Sequence, residues 1–448
     1  MKNYWLHSGF YTFLQRFSTL VFGFGGFYLL IRMQTKQDFG VWALVLTITA
    51  LLEVARNGLI QNGLIKFSLG AKENEQPAIQ SAALFLNIVL TLFSCAFLLV
   101  SGPYFETAWH APNVTEVFQI YAFITIALIP FQQFSYLQQA KFDFKSLSLM
   151  YIIRQGSFFL VILIHFILFN RISIISLAWW LLWSSIISSM AGYVMVKKYL
   201  FIRQWPTLFW IKKLFHYGKY SFGTNVSGML FNSIDQMMLG VMTGTAQVAV
   251  FNASSKINNL IEVPISTVAS IVFPQTSLKA SENDHEGVKR MYEKSVTILL
   301  AMILPVLVVV AIIPAYILSW IAGAAYAEYA GVLMVILLFS VFQPFSRQFG
   351  TVMDALGKPH VNFYCITGAA FINLSLSYVF IPIWGIYGAA FATLIALVLS
   401  VVLNLWLLQL LVKVQLRAIL KGIPQVYVFL YLKLRWYLKP LFAKWLVL

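Results

Sequence analysis

Charged residues are scarce in this chain, in which they make up 10% of 448 residues, while 60% of the residues are hydrophobic. Soluble proteins are on average about one-quarter charged, so this composition excludes the ordinary soluble classes and indicates a polytopic membrane protein. Acidic residues are the scarcer kind, with 15 Asp and Glu against 31 Lys and Arg, which leaves a net charge of +16. Whether that excess serves nucleic acid or a membrane depends on its distribution along the chain.

Cysteine and catalytic motifs are scarce as well. Cys95 and Cys365 lie far apart within apolar runs, which excludes a disulfide framework and gives no metal-ligand spacing. The chain has neither a G-x-S-x-G motif nor a Walker sequence, and ALGKPH (355–360) lacks the glycine that would precede its Gly-Lys. We therefore expect no catalytic residues, no bound metal and no ATP hydrolysis, so that any transport would draw on an ion gradient or the membrane potential.

Long apolar runs dominate what is present. A membrane-spanning helix needs about 20 mostly apolar residues, and the chain contains twelve such segments. The first reaches spanning length without a cleavage site, which predicts an uncleaved first helix. The predicted spans are 10–32, 39–61, 79–100, 114–136, 148–169, 174–195, 217–241, 249–273, 293–318, 326–350, 360–380 and 386–411.

The basic residues predict the orientation of these spans. With both termini in the cytoplasm, 27 of the 31 basic residues lie on or near the cytoplasmic side. Only Arg32, Lys36 and Arg171 fall outside, and Lys256 falls within a span. This is the positive-inside bias of multi-pass proteins, so the excess of positive charge reports topology, and we expect no nucleic-acid partner. Tryptophans near the predicted outer boundaries agree with interfacial belts; they are Trp42, Trp109, Trp179, Trp180, Trp320 and Trp384.

The spans predict four parts along the chain. Residues 1–196 form an N-terminal six-helix lobe, 197–216 a basic and aromatic cytoplasmic linker, and 217–411 a C-terminal six-helix lobe. Residues 412–448 form a basic amphipathic cytoplasmic tail, expected to lie at the membrane surface. A shift of 209 residues aligns LLEV (51–54) with LIEV (260–263), and so Glu53 with Glu262. This weak match favours two related lobes, as in many transporters, although leucine-rich segments also match by chance.

Charges at membrane depth mark the candidate site. Arg16 lies in the first span, Glu53 and Arg56 share a face of the second, and Asp235 lies in the seventh. In the eighth span, Asn252, Ser255, Lys256 and Asn259 form a polar stripe, with Glu262 at its edge. Two interpretations stay open: basic residues that line a path for an anionic substrate, or structural ion pairs, Arg16 with Glu53 and Asp235 with Lys256. Arg154, near the inner end of the fifth span, is expected to reach toward the interface.

Four segments have a distinctive pattern: SIDQMMLGVMTGTAQVAVFNASSKINNLIEVPIS (233–266), ALGKPHVNF (355–363), NLSLSYVFIPIWGIYGAAFAT (373–393) and QTKQDFGVWAL (34–44). In their order and spacing they resemble segments of Wzx-type polysaccharide flippases of the multidrug/oligosaccharidyl-lipid/polysaccharide exporter superfamily. The resemblance implies an all-α polytopic membrane protein with about twelve transmembrane helices in two six-helix bundles, a MATE-like V-shaped fold, and alternating access. It also implies flipping of undecaprenyl-pyrophosphate-linked oligosaccharide to the outer face of a bacterial cytoplasmic membrane.

The resemblance further assigns roles to residues. Arg16, Arg56 and Lys256 match cavity cations of related lipid II flippases, so they are predicted to bind substrate together with Asn252 and Asn259. Glu53, Asp235 and Glu262 are candidates for H⁺ or Na⁺ coupling, and no other cofactor is expected. The expected partners are the lipid-linked oligosaccharide, membrane lipids, a polysaccharide polymerase and glycosyltransferases. The alternatives are a cation-coupled drug antiporter, which would need an acidic cavity, and a membrane polymerase or acyltransferase, which would need a catalytic cluster.

Overall fold

The described part of the chain is helical throughout and contains no strand. The computed structural model describes residues 2–70, 72, 74–200 and 204–445, and the side chains of the last helix through Phe429 and at Leu432. The fourteen helices are α1 Lys2–Met33, α2 Lys36–Gly70, α3 Gln76–Ala108, α4 Val114–Ala140, α5 Phe144–Leu168, α6 Ile174–Val196, α7 Leu208–Met242, α8 Thr245–Ser281, α9 His285–Ile312, α10 Pro314–Ala322, α11 Ala330–Ala355, α12 Pro359–Trp384, α13 Ile386–Val412 and α14 Leu416–Trp445. Short 3₁₀ turns occupy Lys197–Tyr199 and Ala324–Tyr329.

Eleven helices of the described chain are long and apolar enough to cross a membrane. The seventh predicted span, 217–241, lies inside α7, which is not among them. Asn225, Asn232, Asp235 and Gln236 interrupt the apolar sequence of α7 within this span. The prediction of an all-α polytopic membrane protein is confirmed. One boundary was wrong: the ninth predicted span, 293–318, divides at Ile313 into α9 and the short α10, because Pro314 cannot donate the backbone hydrogen bond that would continue the helix.

The chain packs as two compact units. The first contains Met1–Asn252 and Ile321–Gly323, and the second contains Ala253–Trp320 and Ala324–Leu448. This division differs from the predicted lobes, because α7 packs in the first unit and the boundary falls within α8. Buried Leu44, Ile60, Leu98, Phe118 and Phe131 contribute to the interior of the first unit. The core of the second unit includes Val288, Tyr292, Phe349, Met353 and Leu408.

Helix α2 and helix α7 pack against each other over their whole lengths within the first unit. A methyl group added at Gly63 would contact Leu214, one at Gly218 would overlap the carbonyl oxygen of Leu59, and one at Gly240 would approach Leu44. From one pair to the next, the residue number falls along α2 while it rises along α7, so the two helices are antiparallel. Glycine allows two helix backbones to approach this closely.

Two tryptophans depart from the predicted interfacial belts. Trp42 and Trp109 are buried inside the first unit, and the ring of Trp109 lies 4.5 Å from that of Phe105. Large aromatic side chains are also good fillers of a helical interior, so their position in the sequence did not distinguish the two roles. The other belt residues, Trp179, Trp180, Trp320 and Trp384, are exposed.

The predicted surface tail begins as part of the second unit. Ile419 of α14 is buried in the core, the backbone of Gly422 lies against Thr297, and the Tyr427 hydroxyl donates to the carbonyl oxygen of Ala301 at 2.9 Å. The first turns of α14 therefore pack along α9. The side chains of 433–448, which supply most of the tail's predicted basic character, lie outside the described residues.

An acidic cap begins α9 in the loop after α8. The Asp284 carboxylate accepts the backbone N–H of Gly287 at 2.7 Å and lies 3.4 Å from the Lys279 ammonium. The hydrogen bond from Gly287, followed by Lys279, holds the pKa of Asp284 below its ordinary value. An aspartate that caps the first turn satisfies a donor that has no partner inside the helix.

Candidate functional site

Arg56 lies in the interior of the first unit, where α2, α3 and α4 meet. Its side chain is 2% exposed, and its Nη1 donates to Thr91 Oγ1 at 2.6 Å and to the carbonyl oxygen of Thr125 at 3.4 Å. The other two guanidinium nitrogens, Nε and Nη2, have no hydrogen-bond partner among the described residues. A buried arginine with two unused donors has the hydrogen-bonding capacity to bind an anionic oxygen.

Glu53 lies one turn before Arg56 and pairs with Arg154 of α5. The carboxylate oxygen is 3.9 Å from Arg154 Nη2, and the two side chains are 21% and 19% exposed. The guanidinium of Arg154 also lies 5.1 Å from the ring centroid of Phe131. The predicted pairing of Arg16 with Glu53 was therefore wrong, and so was the expectation that Arg154 reaches toward the interface. Arg154 meets Glu53 only because α2 and α5 belong to the same unit, and the spacing of the two residues in the sequence does not predict this contact.

The three side chains form an internal group with more positive than negative charge. Glu53 and Arg154 both act electrostatically on Arg56, so the two guanidinium groups share one carboxylate. Polar contacts surround the group: the Tyr136 hydroxyl donates to Asn57 Oδ1 at 2.5 Å, and Ser184 donates to the carbonyl oxygen of Arg154. Two positive charges and one negative charge favour an anion over a cation at this position.

The sequence does not predict several of the residues that contact Arg56. Thr91 and Thr125 are single hydroxyl residues within apolar runs, and nothing in their local spacing distinguishes them. A stronger signal was available in α4, where Gln132, Gln133 and Gln138 are all buried. Amides in a membrane helix face protein rather than lipid, so these residues could have identified α4 as an interior helix.

Arg16, the predicted substrate-binding residue of α1, is exposed and makes no ion pair in the described part of the first unit.

Asn252 lies at the end of the first unit and donates to Gln236 Oε1 at 3.0 Å. The same oxygen accepts from Thr47 Oγ1 at 3.2 Å, which links α2, α7 and α8. Asp235, the neighbour of Gln236, is 2% exposed. Asn252 is thus engaged in a polar contact between helices of its own unit.

The remaining candidates belong to the second unit. Lys256 is half-buried, and no carboxylate of the described part of that unit lies within ion-pair distance of it. Asn258, next to the predicted stripe, is buried and accepts from the Ser340 hydroxyl at 2.6 Å, whereas Asn259 is exposed. Glu262 is half-buried and is attracted by Arg347 of α11. Asp235 and Lys256, proposed as a pair, are assigned to different units.

Among the described residues, no group of three or more His, Cys, Asp or Glu side chains is placed to hold a metal ion. Cys95 and Cys365 are both buried and unpaired by disulfide. The Cys95 thiol lies 3.2 Å from Thr125 Oγ1, next to the contacts of Arg56.

Both the sequence and the fold of this chain resemble those of known membrane proteins. The chain is 23% identical over 193 residues to the probable low-salt glycan biosynthesis flippase Agl15 of Haloferax volcanii, an alignment that covers 43% of this chain and 41% of that protein. The chain thus matches less than half the length of this relative. The fold resembles an inward-facing multidrug resistance MATE transporter of the MOP superfamily, with a TM-score of 0.74, 16% identity and coverage of 88% of this chain and 95% of that one.

A second solved structure, the lipid II flippase MurJ in an inward closed conformation, gives a TM-score of 0.71 at 14% identity and covers 94% of this chain and 92% of that one. These likenesses confirm the predicted MATE-like fold. Residues 29–331, more than half of the chain, match the family of polysaccharide biosynthesis proteins. The relatives described above are named as flippases and transporters rather than as enzymes. The chain itself belongs to the polysaccharide biosynthesis protein family.

Proposed function

We propose that this protein flips undecaprenyl-pyrophosphate-linked oligosaccharide from the cytoplasmic to the outer face of a bacterial cytoplasmic membrane, by alternating access. Both termini would lie in the cytoplasm. The family membership supports transport for polysaccharide biosynthesis. The positive charge of the candidate residues Arg16, Arg56 and Lys256 supports a substrate with an anionic headgroup. We expect a polysaccharide polymerase and glycosyltransferases to act on the same lipid-linked sugar before and after its transfer.

The observation that carries this proposal is the buried Arg56 with its two unused donors. A charge at membrane depth costs several kcal/mol and usually marks a substrate or ion pathway. A guanidinium group matches two phosphate oxygens at once, whereas an ammonium group acts as a point charge. The excess of positive charge around Arg56 also disfavours a cationic drug as the substrate.

In this mechanism the basic side chains of each unit contact the pyrophosphate at successive stages of transfer. Arg16 and Arg56 serve in the first unit, and Lys256 serves in the second, where its ammonium group has no carboxylate partner among the described residues. Asn252 and Asn259 would donate hydrogen bonds to the sugars. The undecaprenyl chain would remain in lipid, because moving so much apolar surface into water is unfavourable.

The proposal is tested by transport of a fluorescent undecaprenyl-pyrophosphate oligosaccharide in proteoliposomes. We expect Arg56→Gln and Lys256→Gln each to reduce the initial rate at least ten-fold, because a lost charge-assisted hydrogen bond is worth about 1.5–3 kcal/mol. Arg56→Lys should keep part of the rate, since the charge remains while the fork of donors is lost.

Thermal unfolding of each variant shows whether the protein still folds, and Arg171→Gln in a predicted outer loop serves as the matched control. Unchanged transport in Arg16→Gln, Arg56→Gln and Lys256→Gln, with all three variants folded, would contradict the cationic path.

A further inference from the structure

A cleft with apolar walls and basic groups lies on the first unit, where the end of α2 meets the start of α7. It has a volume of about 770 Å³ and is lined by Phe67 and by residues 209, 211–213 and 215–217. We name it the aromatic-basic cleft. None of the residues of the candidate transport site lines it.

Lysine ammonium groups in the aromatic-basic cleft and next to it lie over aromatic rings. The Nζ of Lys213 is 4.4 Å from the ring centroid of Trp210, 4.9 Å from that of Phe67 and 5.2 Å from that of Phe209. Lys66 lies 4.3 Å above the ring of Tyr217. Contact with a ring face holds an ammonium group in place while leaving its N–H donors available to an anion.

Among the described residues, these lysines are not neutralised by an acidic side chain. In the described part of the chain, neither Lys66, Lys212 nor Lys213 lies within 4.0 Å of a carboxylate. The cleft is therefore positively charged at its rim, although its walls are mainly apolar. This combination complements an amphiphile that carries both a negative headgroup and a hydrocarbon chain.

Exposed aromatic residues beside the cleft indicate the same kind of surroundings. Phe209 is 64% exposed and Phe215 51%, and both line the cleft with the exposed Lys212 and Lys213. Trp205, three residues before α7, is 91% exposed. Such a surface is too apolar for bulk water and too charged for the hydrocarbon core. Lysine and aromatic side chains occur together in the headgroup layer of a bilayer.

We propose that the aromatic-basic cleft binds an anionic glycerophospholipid of the surrounding membrane, with its phosphate at Lys212 and Lys213 and the start of an acyl chain against the aromatic wall. This site does not depend on the transported substrate. A basic residue near an anionic membrane surface contributes roughly five-fold to binding. Two lysines are therefore sufficient to make the site selective for phosphatidylglycerol over phosphatidylcholine.

The test is native mass spectrometry of the full-length protein in detergent, titrated separately with phosphatidylglycerol, phosphatidylcholine and farnesyl pyrophosphate. We expect the unmodified protein to prefer phosphatidylglycerol to phosphatidylcholine. The double variant Lys212→Gln/Lys213→Gln should lower phosphatidylglycerol affinity more than ten-fold, and Lys212→Arg/Lys213→Arg should retain it. Lys66→Gln should lower it roughly five-fold.

The matched control is Lys141→Gln/Lys145→Gln, which removes the same charge from another turn of the same unit and should leave phosphatidylglycerol affinity unchanged. Equal affinity in Lys212→Gln/Lys213→Gln and the unmodified protein would overturn the proposal, and so would an equal loss in the control. A loss confined to farnesyl pyrophosphate would also overturn it, because the cleft would then serve the isoprenoid substrate. Since binding is measured without transport, none of these results depends on the proposed function.

Discussion

Arg56 shows how one buried charge can hold three membrane helices together. Its backbone belongs to α2, while its hydrogen bonds reach Thr91 on α3 and Thr125 on α4. The bond of 2.6 Å to Thr91 is short for a nitrogen donor, as expected when the donor is charged. The alternative for this guanidinium would be an unsatisfied charge in an apolar interior, which is far more costly than an unsatisfied neutral group.

Thr91→Val should therefore destabilise the protein by about 1.5–3 kcal/mol, because valine keeps the shape of threonine but cannot accept the Arg56 hydrogen bond. The measurement is the midpoint of thermal unfolding in detergent. Thr107→Val is the control on the same helix, since the Thr107 hydroxyl is exposed and bonds only to carbonyl oxygens of its own helix. Equal midpoints for Thr91→Val and Thr107→Val would show that Arg56 does not depend on Thr91.

Glu53 supports a second prediction at this scale. Its carboxylate is the negative member of the group with Arg56 and Arg154, and it is partly open to solvent. If proton or sodium movement drives transport through Glu53, Glu53→Gln should abolish the dependence of the transport rate on an imposed gradient while leaving downhill exchange. Glu106→Gln, in a separate part of the first unit, is the control. A Glu53→Gln variant that still responds fully to both gradients would contradict this role.

At the scale of elements, the contact between α2 and α7 depends on glycine. Gly218 faces the backbone of Leu59 without room for a methyl group, whereas Gly228 on the same helix has open space around it. The two positions share a helix and a residue type and differ in what lies opposite. They provide a matched pair that separates packing from helix propensity.

Gly218→Ala should destabilise the protein by about 1–3 kcal/mol, because the added methyl group would force α2 and α7 apart. Gly228→Ala should be neutral or stabilising by up to about 1 kcal/mol, since alanine is the better helix former. Both midpoints are measured by thermal unfolding. If Gly218→Ala unfolds at the same temperature as Gly228→Ala, the close approach of α2 and α7 does not contribute to stability.

The elements also show what sequence could and could not predict. The spans could be predicted because about 20 apolar residues in a row are needed to cross a bilayer. Most of the apolar segments accordingly fall inside single helices, although the ninth divides between α9 and α10. The partner of Glu53 was not visible, because Arg154 follows it by about a hundred residues and meets it only after α2 and α5 pack. For the same reason, local pattern did not reveal that α7 packs with the first unit, or that α14 packs along α9.

At the scale of the whole molecule, the distribution of charge predicts the orientation. Lysine and arginine concentrate at alternate helix ends, as in the turn at 141–145 and around the connection between α8 and α9, which Lys279, Lys289 and Arg290 flank. The loops at 109–113 and 169–173 hold a single basic residue, Arg171, between them. Positive loops remain in the cytoplasm during insertion, so these two groups should lie on opposite sides of the membrane.

Single cysteines with a membrane-impermeant maleimide test this orientation. The two native cysteines are buried, which keeps background labelling low. Pro112→Cys and Arg171→Cys lie at exposed positions of the basic-poor loops and should react in intact cells. Lys145→Cys and Glu286→Cys are equally exposed and should react only after permeabilisation. The reverse pattern would place both termini outside the cell. It would also contradict the proposed direction of transport. The basic helix ends are expected to face a substrate made in the cytoplasm, and in that case they would lie outside the cell.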